Sequence, residues 1–185
     1  SSSSGDSSNP SIKGNKLFLF RASDIPAAFA IAWPAWDSRP FATLVIAESG
    51  IAKKTLSVLE NARAYGQASI SAVKKKFPEF DIYKANELDY KKYLAHVPKI
   101  YQDHWYASIF NYILTQKAKE ILTSGPLDLK KLGALMDSHQ KILQEKIQNT
   151  PDKMKLQMQA ARNAGALGTK IIGSGGGGCM VAIVS

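Results

Sequence analysis

The chain has 185 residues, 45% of them hydrophobic, enough to bury a core as one domain or one domain with part of another, which excludes a disordered chain. A formal charge of +9 suits an anionic partner such as nucleotide, nucleic acid or a membrane surface without choosing among them. The single cysteine excludes an internal disulfide framework, no apolar run reaches the roughly 18 residues of a membrane span, and no signal-peptide pattern opens the chain, so the expected location is cytoplasmic.

The opening SSSSGDSSNPSIKG is polar and serine-rich and by itself reads as a tail. NKLFLFRASD reads as a strand, and IPAAFAIAWPAWDSRP, with three prolines and two tryptophans, as strand and irregular loop. FATLVIAESG is a buried strand ending in a turn. Ser49 is placed to cap the long helix that follows, whose Leu59, Ala62, Gly66, Ile70, Val73 and Phe77 recur at helical spacing until Pro78 ends it. DIYKANELDYKKYLAHVPKIY is mixed and predicts short helices.

The second half is more regular. In DHWYASIFNYILTQKAKEIL the residues Phe110, Leu114, Ala118 and Ile121 share one helix face, and TSGP stops the helix. Asp128 caps the next, with Leu129, Leu132, Met136, His139, Leu143 and Ile147 along its apolar stripe. Thr150 and Pro151 read as N-cap and first helical residue, and Gly165 as the stop. GTKII and CMVAIV are two strands. Strands and helices without a strict β-α rhythm favour an α+β fold, an antiparallel sheet with helices on one face.

The two last strands are joined by a loop holding five glycines in six positions, Gly173, Ser174, Gly175, Gly176, Gly177 and Gly178. Successive backbone N–H groups in such a turn can converge on one spot and form an anion-binding concavity, since missing Cβ atoms let phosphate oxygens approach. The loop is not a Walker loop, because Cys179 and Met180 stand where Lys and Ser/Thr are required, and not the dinucleotide fingerprint, because a strand follows it rather than a helix. A permissive hairpin remains the alternative. His139 on an apolar stripe reads as a core residue, Cys179 as packing, and no His/Cys spacing suggests a zinc site, so no metal-ligating residue is assigned.

The order of these motifs, Ser49-Gly50, Asn61 with Arg63, Leu135-Met136 with Ser138-His139, Pro151, and Gly173 to Cys179, resembles the C-terminal half of the galactokinase branch of the GHMP small-molecule kinases over about residues 16 to 185. The resemblance implies ATP-dependent phosphoryl transfer to a hydroxyl of a monosaccharide, the anomeric one by analogy, with Mg²⁺ carried on ATP and no nucleic acid or membrane as partner. It divides the chain into the tail end of an N-terminal ATP-binding domain, residues 1–40, and a C-terminal domain, residues 41–185. SSSSG would be the serine core of an ATP loop whose proline and glycines are absent, so the chain is expected to be a fragment. Gly173 to Gly178 would wall the phosphate site. Asp6, the one carboxylate at the right distance before KLFLF, takes the place of a catalytic Asp in a changed Gly-Asp context, with a solvated tail residue as the alternative.

Glu60, Asn61 and Lys146 fall where the family approaches its sugar. Glu60 and Lys146 replace two tyrosines of galactokinases, which leaves a heptose, a uronic acid or another aldose open, as well as plain helix-surface charges. Two other classes stay in view: a catalytically silent sugar or ATP sensor built on the same fold, and a basic nucleic-acid-binding domain using the scattered lysines.

Overall fold

The computed structural model describes residues 17–21, 43–52 and 55–184. The serine-rich opening, Asp6 and the proline–tryptophan segment lie outside the described residues. The elements run β1 (Leu17–Arg21), β2 (Thr43–Glu48), α1 (Thr55–Lys74), α2 (Glu87–Tyr93), α3 (Gln102–Thr123), α4 (Leu129–Ile142), a π turn (Leu143–Ile147), α5 (Asp152–Asn163), β3 (Gly168–Ile171) and β4 (Cys179–Val184), with one 3₁₀ turn before α2 and two between α2 and α3. The fold is α+β, as the pattern of elements predicts.

Four strands form one antiparallel sheet in the order β1-β2-β4-β3. Its registers place Ala47, Met180 and Ile171 in one cross-strand row and Val45, Ala182 and Thr169 in the next, all on one face. Helix α5 lays Met154 and Met158, both fully buried, across these rows. Alternation with period two in CMVAIV produces this apolar face, and the 3.6-residue period of α5 puts residues four apart onto it.

A second core lies among the helices. Val73 of α1 packs with Phe80, Tyr93, Trp105 and Ile109, in a chain of tilted and edge-on aromatic contacts. From Ala62 to Val73 the α1 stripe is the one its spacing predicts, Ala62, Gly66 and Ile70 half-buried and Val73 fully buried. In α3 the deepest residues are Trp105, Ala107 and Ile109 rather than the expected Phe110, Leu114, Ala118 and Ile121, which are only half-buried. The cause is that α1 and α4 both pack against α3, so its early turns are covered on two sides.

Helix α4 binds the free edge of β3. Gly133 and Gly168 meet backbone to backbone, so that a Cβ on either would overlap the other's main chain. The Asp137 carboxylate then accepts from the Thr169 N–H and hydroxyl, both at 3.0 Å, and the Gln140 side-chain oxygen accepts from the Ile171 N–H at 2.9 Å. An edge strand offers unpaired N–H groups at alternate residues, and here two side chains one helical turn apart take two of them. Arg162 from α5 closes the group, donating to Asp137 and Thr169.

Two expected caps differ. Ser49 does not cap α1; its hydroxyl accepts the Ile51 N–H at 3.2 Å and fixes the turn after β2. Thr150 is not the N-cap of α5, which begins at Asp152 after Pro151; its hydroxyl accepts from Gln140 instead. Asp128 does cap α4, accepting the Lys131 N–H, and Gly165 at φ +96 follows the end of α5 as predicted.

Alanine in place of a helical glycine ordinarily gains about 1 kcal/mol. Gly133→Ala is expected to do the reverse and lose about 2 kcal/mol or more, because helix and edge strand must part; urea unfolding measures it. His139 gives a second test. Burial chiefly, and the Lys170 charge after it, lower its pKa from 6.5 to about 4. Between those values the unfolded chain binds a proton that the folded chain refuses, so this contribution to stability is present above about pH 6.5 and lost as pH falls towards 4. Urea midpoints followed downward in pH are expected to fall less steeply in His139→Asn than in the parent.

Candidate functional site

The glycine loop is held from two sides. On one, Asn149 grips it: the Asn149 carbonyl accepts the Gly176 N–H at 2.6 Å, and the Asn149 amide donates to the Ser174 carbonyl at 2.9 Å. On the other, the chain leaving β2 pairs with it, Ser49 N–H donating to Gly178 O at 2.8 Å and Gly178 N–H to Ile51 O at 3.2 Å. The Ser-Gly turn and the glycine loop, distant in sequence, are therefore one structure.

Glycine is required here for two separate reasons. Gly173, Gly175, Gly176, Gly177 and Gly178 all have φ between +71 and +136, a region that costs a side chain strain. A Cβ on Gly175 would also run into the Asn149 carbonyl, and one on Gly177 would lie 2.7 Å from the Ile51 carbonyl. Two loop N–H groups, those of Gly176 and Gly178, are thus spent on the fold. That of Gly175 closes the turn at Gly173 and Ser174; those of Gly173, Ser174 and Gly177 find no acceptor among the described residues, and they are the donors a phosphate could use.

Immediately before Asn149, the chain forms the wall of a cleft. The π turn Leu143–Ile147 ends at Gln148, whose left-handed φ of 57 is the one positive φ outside glycine among the described residues. Strain of this kind persists only where the surroundings impose it, and π turns of this sort often mark functional positions. The cleft, about 370 Å³, is lined by Asn61 and Tyr65 of α1, by Asp103 and His104 of α3, and by Lys146 and Gln148, among others. Lys146 donates to Asp103 at 2.8 Å, and this hydrogen bond raises the lysine pKa, so the ammonium stays charged. Burial lowers the pKa of His104 against the opposing pull of Asp103, which favours the neutral ring.

Of the three residues expected near an acceptor, the structure brings Asn61 and Lys146 to this one cleft; Glu60 is exposed and is not among its lining residues. Asp6 lies outside the described residues. Sequence reasoning missed Tyr65, Asp103, His104 and Gln148. The first three carried no signal beyond helical position, and the unbroken apolar stripe through Leu143 and Ile147 gave no sign of the turn that presents Gln148. Among the described residues no three His, Cys, Asp or Glu side chains come together to hold a metal, and no helix is long and apolar enough to cross a membrane.

Residues 118–185 match the family model described as GHMP kinases C terminal. The described fold aligns with the crystal structure of Lactococcus lactis galactokinase complexed with galactose at a TM-score of 0.68, over 80% of this chain and 38% of that one; at 19% identity the likeness concerns the fold alone. Mevalonate kinases from Thermococcus gammatolerans and Pyrococcus horikoshii are 42% identical over 73 residues and 45% identical over 74. These alignments take in 38% of this chain and 22% of each relative, so the chain spans about a fifth of the length of the curated relatives it matches.

Gly125 and Gly175 separate the two demands on glycine. Both have positive φ, but a Cβ at Gly125 meets nothing within 4 Å. Gly125→Ala is expected to cost about 1 kcal/mol from backbone strain alone, and Gly175→Ala a further 1–3 kcal/mol or so from the collision with Asn149. Thermal unfolding of the pair measures the difference.

Proposed function

We propose that the protein transfers the terminal phosphoryl group of ATP to a hydroxyl of a monosaccharide, the anomeric hydroxyl by analogy with galactokinases. The observation that carries the reading is the glycine loop, braced by Asn149 and by the turn after β2, with the N–H groups of Gly173, Ser174 and Gly177 left over. Phosphoryl transfer asks little covalent chemistry of a protein and much positioning of charge. A loop whose conformation is paid for in advance meets that need, because its donors do not have to reorganise when negative charge shifts among phosphate oxygens.

Mg²⁺ on ATP would neutralise phosphate charge. This domain's own part is to present the loop donors and, through Asn61, Lys146 and their neighbours, to seat the acceptor. The catalytic carboxylate falls to Asp6, which would orient the attacking hydroxyl and accept its proton. The likeness to mevalonate kinases, 42% identity over 73 residues and 45% over 74, favours a second reading, in which the acceptor is a small hydroxy acid rather than a sugar.

ADP release by the full-length protein with Mg-ATP, tested against aldoses, uronic acids and mevalonate, decides between the two. Sugar-dependent turnover is the expected outcome, and mevalonate-dependent turnover alone supports the second reading. Gly176→Val is expected to lower turnover at least about 100-fold, since a β-branched side chain at φ +71 cannot keep the loop in place. Asp6→Asn is expected to abolish it. ATP binding without turnover towards any acceptor would leave the silent-sensor alternative standing.

A further inference from the structure

We propose that Lys153 is the side-chain cation of the glycine-loop site and contacts a phosphate oxygen of the nucleotide. The proposal rests on the phosphoryl-transfer reading above and adds to it a residue that neither the glycine run nor the order of motifs assigns. Position is the first argument. Lys153 stands shortly after Asn149, which grips the loop at Ser174 and Gly176. Its ammonium lies 3.4 Å from where a Cβ on Gly50 would stand. Gly50 belongs to the other brace, between Ser49 and Ile51, which both pair with Gly178. The lysine side chain therefore starts from one brace of the loop and ends against the other.

Charge is the second. The neighbouring acid, Asp152, is held by Lys155 at 2.8 Å, and Lys153 forms no ion pair among the described residues. Its surroundings carry its own sign. Lys153 lies in the first turn of α5, at the positive end of the helix dipole, where a cation is disfavoured. The Gly177 N–H, without an acceptor among the described residues, belongs to the part of the loop packed against Ile51 and Ala52. An ammonium gathered with a helix N-terminus and free N–H donors builds a positive potential that a bound anion relieves. Lys146, on the other side of Asn149 in sequence, is committed to Asp103, so of these two lysines Lys153 is the one with charge to offer.

The chemistry of the donors is the third argument. An ammonium is a compact charge with three rotatable donors on a flexible stem, and it suits one oxygen of a group whose other oxygens are held elsewhere. A phosphate chain has oxygens enough for the N–H groups of Gly173, Ser174 and Gly177 and for the ammonium together, whereas a carboxylate has only two. Lys153 is exposed, so it can meet such a ligand without displacing any part of the fold.

The test is calorimetric binding to the full-length protein of a non-hydrolysable β,γ-imido analogue of ATP with Mg²⁺, beside adenosine, which lacks the phosphates. Lys153→Met removes the charge and keeps most of the stem, Lys153→Arg keeps the charge, and Lys117→Met removes a charge from an exposed position on α3. The expected result is that the Kd of the analogue rises about tenfold in Lys153→Met and stays within about threefold of the parent in Lys153→Arg. Lys117→Met is expected to leave it unchanged, and adenosine to bind all four proteins alike. Unchanged analogue affinity in Lys153→Met, an equal loss for adenosine, an equal loss in Lys117→Met, or no binding of the analogue to the parent would overturn the proposal. The two readings fail separately. Turnover with an unmoved KM for ATP in Lys153→Met would keep the kinase and overturn the lysine, while analogue binding weakened in that variant without turnover towards any acceptor would keep the lysine and overturn the kinase.

Discussion

The site depends on how closely α4 approaches the edge of the sheet. Gly133 and Gly168 let a helix and a strand touch through their main chains, and at that separation Asp137 and Gln140 are long enough to bond the N–H groups of Thr169 and Ile171. Gln140 has a second bond, from its amide to the Thr150 hydroxyl at 3.0 Å, and that hydroxyl in turn donates to the Asn149 side chain. Asn149 grips the glycine loop. One buried line of contacts thus runs from the edge of the sheet to the loop.

The same line reaches the cleft. Lys146, Gln148, Asn149 and Thr150 are nearly consecutive, and the π turn followed by a left-handed residue sends Gln148 to the cleft while Asn149 and Thr150 are buried. A regular α-helix continued through this segment would place residues on a fixed 100° rotation and could not serve both sides in so few positions. The extra residue in the turn, together with the strain at Gln148, is what divides the segment between two tasks. The cleft and the glycine loop are in this way joined by one short piece of chain, which would suit the proposed phosphoryl transfer, where reacting groups are held at a set distance.

The electrostatics of the cleft bear on the acceptor in a way the excess positive charge does not. The net charge of +9 comes from lysines spread over the chain, whereas the cleft combines one acid, one base and a histidine whose burial favours its neutral form. Local pairing sets what a site attracts at contact distance, while net charge acts over a range that salt shortens to about 8 Å at physiological strength.

How much of this was legible in the residues follows from the range of the interactions. The 3.6-residue period placed α1 and α4, apolar runs placed β2 and β4, and Pro151 and Gly165 bracketed α5, because all of these signals are set by local geometry; Asp128 marked a helix end for the same reason. The glycine run announced a loop of special backbone conformation, and five of its glycines do have positive φ. Sequence also offered Asn61 and Lys146 as neighbours of one site, and tertiary packing alone put both on one cleft and left Glu60 outside it. Packing alone decided that Ser49 and Thr150 serve long-range contacts instead of capping helices, that Trp105 and Ile109 lie deeper than the α3 stripe suggested, and that Asn149, unremarked in sequence, is the clamp of the loop. Each of these turns on which residue another part of the chain brings near, and a one-dimensional pattern holds no record of that.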